Sequence, residues 1–79
     1  MDDHLERMQR LIDLPKQIAC VEREIGFRER VYSRWVAAGK MKQEKADYEI
    51  TAMRAVLQTL KAEQTRSQPA LFTEEPKAA

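Results

Sequence analysis

The sequence predicts an all-α protein: an antiparallel two-helix hairpin, preceded by a short helix and followed by a flexible tail. Three observations carry this prediction. Apolar residues recur in alternating steps of four and three over two long stretches, the spacing of one helix face. Two Gly and three Pro among 79 residues supply too few turn formers for a multi-stranded sheet. Charged residues reach 34% of the chain, above the usual quarter, as the water-facing sides of long helices demand.

Residues 1–13 form the first unit. Leu5, Met8 and Ile12, with Leu11 beside them, set out a short amphipathic helix. Asp2 or Asp3 suits its cap, and Glu6 complements the positive end of its dipole. Pro15 has no amide proton and disfavours helix at the preceding residue, yet fits a first helical turn. Asp13-Leu14-Pro15 therefore reads as a kink or a restart.

The hairpin occupies residues 14–64. Its first helix is expected from about Pro15 to Ala38, with a seam of Leu14, Ile18, Val21, Ile25, Arg28, Tyr32 and Trp35. Phe27, Val31 and Val36 widen the apolar side. Glu24 and Arg28 are spaced as an i,i+4 ion pair. Gly26 within a helix costs about 1 kcal/mol relative to Ala, which a close helix crossing would explain. Gly39 stands where a left-handed residue closes the last turn, and Lys40 adds a cation at the negative end of the dipole. The second helix is expected from about Lys42 to Gln64, on a stripe of Ala46, Ile50, Met53, Leu57 and Leu60 widened by Val56. Glu44 and Asp47 favour its start, whereas Lys42 is a poor cap. Each long helix spans roughly 35 Å.

Residues 65–79 lose this periodicity. Pro69 and Pro76 stand among small and charged residues, so a flexible tail is expected, with one apolar pair, Leu71-Phe72.

So short a chain builds a thin core. Two remedies are open. The N-terminal helix can fold across the hairpin, or two hairpins can pair as a homodimeric four-helix bundle. We expect the dimer. No apolar run exceeds four residues, as in Trp35-Val36-Ala37-Ala38, which is far too short for a membrane span. The start Met1-Asp2-Asp3-His4 has no apolar stretch behind it, so no secretory leader is expected. The single Cys20 suits a cytoplasmic setting.

Catalytic chemistry is not expected. His4 has no second His, paired Cys or carboxylate cluster at ligand spacing, and Cys20 has no base beside it. Gly-rich phosphate-binding loops are absent from the sequence, and no cofactor or metal is expected. From Arg23 to Lys45 seven Lys and Arg face three Glu, with Tyr32 and Trp35 among them. Arg30, Arg34, Trp35 and Lys42 are thus candidate contacts at the hairpin tip, for nucleic acid if not merely a solvated face. The net charge of +1 argues against strong nonspecific DNA affinity. Tyr32, Trp35, Val36 and Met41 are expected to close the end of the bundle as core, the alternative being an exposed anchor for a partner.

The tail segment Gln68-Pro69-Ala70-Leu71-Phe72 resembles the Gln-x-x-Leu-Phe peptide by which bacterial polymerases and repair proteins dock into the sliding clamp. The chemistry suits such a strand. Two adjacent apolar side chains can fill a pocket, a Gln amide both donates and accepts, and Pro69 restricts the unbound chain. The resemblance implies that Gln68, Leu71 and Phe72 bind the clamp.

The hairpin itself, through Val21-Glu22-Arg23-Glu24-Ile25, the run Arg30 to Met41 and Lys45-Ala46-Asp47, resembles small proteins encoded by bacteriophages and prophages of proteobacteria. The likeness covers roughly Ile18 to Leu60. Lys42 departs from it, since a hydroxyl residue often precedes the second helix in that group. The resemblance implies a phage setting and no particular chemistry. Together these readings give a non-catalytic interaction module that recruits the clamp or competes with host replication proteins for it. The alternatives are a host-takeover inhibitor acting through the hairpin face and a nucleic-acid-binding accessory using the basic tip.

Overall fold

The computed structural model describes residues 2–67, which form three helices: α1 (Asp2–Arg10), α2 (Leu14–Ala37) and α3 (Gln43–Ser67). Packing joins α2 to α3, while α1 rests against neither. The ion pairs Glu22–Lys61, Glu29–Arg54 and Arg28–Glu49 run in opposite chain directions, so the hairpin is antiparallel. Of the two remedies for the thin core, a helix α1 folded across the hairpin is not adopted. Among the described residues, no helix is long and apolar enough to cross a membrane.

Residues 11–13 separate α1 from α2, and the break is a restart. The amides of Leu11 and Ile12 bond to the carbonyls of Met8 and Gln9 at 2.9 and 3.1 Å, the tighter i→i+3 closure of a fraying helix end. Asp13 is then extended, with φ −80° and ψ 177°, and its carboxylate accepts from the Lys16 amide at 3.3 Å. This is an N-cap. Pro15 falls in the first turn that it caps, where a missing amide proton removes no bond.

The end of α2 is set by Gly39, at φ +75°. Its amide bonds to the Val36 carbonyl at 3.0 Å, and the Lys40 amide bonds to the Trp35 carbonyl at 2.8 Å. That pair of bonds is the Schellman closure, which needs a left-handed residue at this position. Lys42 lies outside α3 and holds its start through the backbone alone: its carbonyl accepts from the Lys45 and Ala46 amides, both at 3.1 Å. The far end of α3 extends beyond Gln64, so residues 65–67 belong to the helix and not to the expected tail. There Ser67 Oγ donates to the Glu63 carbonyl at 2.8 Å, and Arg66 pairs with the Glu63 carboxylate.

Among the described residues, three side chains are buried: Ile18, Ile25 and Ala46. Leu14, Val21, Tyr32 and Val36 of α2 and Ile50, Met53, Leu57 and Leu60 of α3 are half-buried beside them. The seam differs from the expected one at the turn end. Measured from Ile25 around a straight helix of 3.6 residues per turn, Val36 falls about 20° away and Trp35 about 80°. A strict heptad holds 3.5 residues per turn and drifts by about 20° per repeat. Val36 accordingly takes the inward place, and Trp35 is 45% exposed instead of closing the core.

Gly26 is not a site of close helix crossing either. A Cβ placed there would meet only the Arg30 guanidinium, at an ordinary 3.7 Å. Gly26→Ala should therefore stabilise the protein by about 0.5–1 kcal/mol, read as a thermal midpoint higher by several degrees. Gly39→Ala also finds open space but is strained by the positive φ. It should destabilise by about 1–2 kcal/mol in the same melt.

Candidate interaction surfaces

Charge is sorted around the hairpin by the register of its helices. Along one edge, Glu22 faces Lys61 at 3.4 Å and Glu29 pairs with Arg54. Along the other, Arg28 bonds Glu24 at 2.8 Å and reaches Glu49 at 3.6 Å, and Glu49 in turn meets Lys45 at 3.4 Å. The expected Glu24–Arg28 pair is thus present, and the polar member of the seam is satisfied from both helices. The hydrogen bond it donates to Glu24 holds the Arg28 guanidinium above its already high ordinary value. At the end of α3, the hydrogen bond from Arg66 holds the Glu63 carboxyl below its usual range. Exposed pairs of this kind are each worth about 0–1 kcal/mol, so they set register more than they stabilise.

Apolar surface remains uncovered at the N-terminal end and at several positions of the hairpin, Phe27 and Tyr48 among them. On α1 and the residues just after it, Leu5, Met8, Leu11 and Ile12 are 41–73% exposed, and α1 itself packs against neither helix of the hairpin. On the hairpin, Trp35 of α2 and Val56 of α3 are each 45% exposed. By helical rotation both lie on the edge that carries Arg28 and Glu49. The Tyr32 and Trp35 rings stack there, with centroids 5.8 Å apart and planes 28° from parallel. At the turn end, Glu29, Tyr32, Val36, Ala46 and Ile50 help to line an open groove of about 330 Å³.

The predicted tip residues do not form one cluster. Arg30 and Arg34 are exposed one turn apart on the outer side of α2, Trp35 lies on the hairpin edge, and Lys42 stands beyond the turn. Gln68, Leu71 and Phe72 lie outside the described residues. Sequence reasoning missed that Arg23 and Phe27 share the outer side of α2 with Arg30 and Arg34. The 4-3-4 spacing of residues 23, 27, 30 and 34 was the signal. Among the described residues, no three His, Cys, Asp or Glu side chains could hold a metal ion together, and no polar or charged residue is buried. His4 and Cys20 are both exposed.

The fold and its surfaces define a charged helical hairpin with partly uncovered apolar edges. Comparison with protein-family models, curated proteins and solved structures gives no match.

The burial pattern distinguishes inward from outward apolar residues. Ile25→Ala should cost about 2–4 kcal/mol in chemical denaturation. Phe27→Ala, at a site 52% exposed, should change stability by no more than about 0.5 kcal/mol.

Proposed function

We propose that this chain is a small, non-catalytic interaction module of phage type that works in the bacterial cytoplasm. Its C-terminal peptide docks on the DNA polymerase sliding clamp, recruiting the clamp or competing with host replication proteins. The single observation that carries this reading is the segment Gln68-Pro69-Ala70-Leu71-Phe72. Leu71 and Phe72 fill the apolar pocket, and the Gln68 amide supplies the directional hydrogen bonds. Purified intact protein should bind purified clamp in surface plasmon resonance. Leu71→Ala combined with Phe72→Ala should reduce that binding to background, while Arg54→Ala leaves it intact. An intact chain that fails to bind rejects the reading.

The hairpin presents the peptide as a homodimer. Support comes from the uncovered edge: Trp35 and Val56 remain exposed, and α1 does not cover them. Pairing two such edges completes a four-helix bundle. The thermal midpoint should then rise with protein concentration, because dimer formation is coupled to folding. A midpoint constant over a hundredfold dilution would show a monomer.

A further inference from the structure

Among the described residues, the outer side of α2 is an arginine ridge without counter-charges. Glu22, Glu24 and Glu29 are all the acidic residues of α2, and each is engaged in an ion pair, with Lys61, Arg28 and Arg54 respectively. Arg23, Arg30 and Arg34 are exposed, and among the described residues no carboxylate lies within ion-pair distance of them. The sequence provides no partner within the helix either. Positions three and four residues from these arginines hold Ala, Cys, Gly, Phe, Ser, Val or another Arg, never Asp or Glu. Arg30 and Arg34 even stand at i,i+4, a like-charge spacing that destabilises a helix. Elsewhere in the hairpin the i,i+4 positions are used to pair opposite charges, as in Glu24–Arg28 and Lys45–Glu49.

Phe27 stands in this ridge, between Arg23 and Arg30, and is 52% exposed. From Arg23 to Arg34 the helix rises about 16 Å, enough to follow roughly three successive phosphates of an extended strand. Guanidinium groups bind phosphate in a planar fork, and an exposed ring offers a base a stacking surface. A duplex hides its base faces within the stack, and an acidic protein surface has no bases to place on Phe27.

We infer that the Arg23–Phe27–Arg30–Arg34 ridge of α2 binds single-stranded nucleic acid, with the arginines on phosphates and Phe27 beneath a base. The ridge shares no residue with the Trp35–Val56 edge or with the Gln68–Phe72 peptide, so it stands whether or not the peptide docks on the clamp.

Fluorescence anisotropy of the full-length protein with a labelled oligothymidylate of about 15 nucleotides tests this. Three phosphate contacts on a single strand give a log–log salt slope near −2, or about a twentyfold weakening between about 50 and 200 mM salt. Arg23→Gln, Arg30→Gln and Arg34→Gln together should weaken binding at least about tenfold at the lower salt and flatten the slope. The triple Arg→Lys variant should keep the slope. Phe27→Ala should weaken binding by at least about fivefold with the slope unchanged. Circular dichroism of each variant checks that the helices remain. The inference is overturned if the oligonucleotide does not bind at about 50 mM salt, or if the triple Gln variant binds it unchanged. Tighter binding of the matching duplex, or equal binding of polyglutamate with Phe27→Ala neutral, would overturn it as well.

Discussion

Everything in this molecule depends on one contact, the stripe along which α2 meets α3. Among the described residues only Ile18, Ile25 and Ala46 are buried, and none of them completely, so no second layer there compensates for a misplaced residue. Burying a large aliphatic side chain yields about 1.5–3 kcal/mol, and the flanking half-buried residues add smaller amounts. The stripe therefore needs a fixed register. Gly39 provides it by closing α2 with a left-handed residue, after which α3 restarts within four residues and returns antiparallel. The ion pairs on the two edges then align residues from both ends of the hairpin to its middle.

That register also sorts the charges. Once Ile18 and Ile25 face inward, Glu22 and Glu29 fall on one edge and Arg28 on the other, each within reach of an opposite charge on α3. The remaining arginines of α2 are carried to the outer side, where α3 cannot meet them. A chain of net charge +1 thereby acquires a locally basic surface without being basic as a whole. The same geometry leaves apolar edges that the hairpin cannot cover from within.

Much of this was legible in the residues. The stop at Gly39, the break near Pro15 and the inward places of Ile18, Ile25 and Ala46 follow from local chemistry and periodicity. The Asp13 cap was not singled out, although an acidic residue just before an apolar run with Pro in its first turn is the signal for one. Trp35 was misplaced because heptad counting and a straight helix diverge by the third repeat, and only the packed pair reveals which applies. The continuation of α3 past Gln64 carries side-chain bonds from Arg66 and Ser67 to Glu63, which apolar periodicity does not register. Gly26 suggested a crossing that is not there, because a glycine in a helix signals either close approach or nothing.

The sequence by itself determined the helices, their breaks and their inward faces, since these arise from contacts within a few residues along the chain. It also carries the tail peptide, whose argument is one of residue types. Only the tertiary structure decided that α1 stands apart and that Val36 replaces Trp35 in the seam. It decided too that every glutamate of α2 is engaged while Arg23, Arg30 and Arg34 are left outward. The reason is physical: an ion pair between α2 and α3 joins residues 21 to 39 positions apart. No local pattern encodes that meeting until the turn at Gly39 has set one helix against the other.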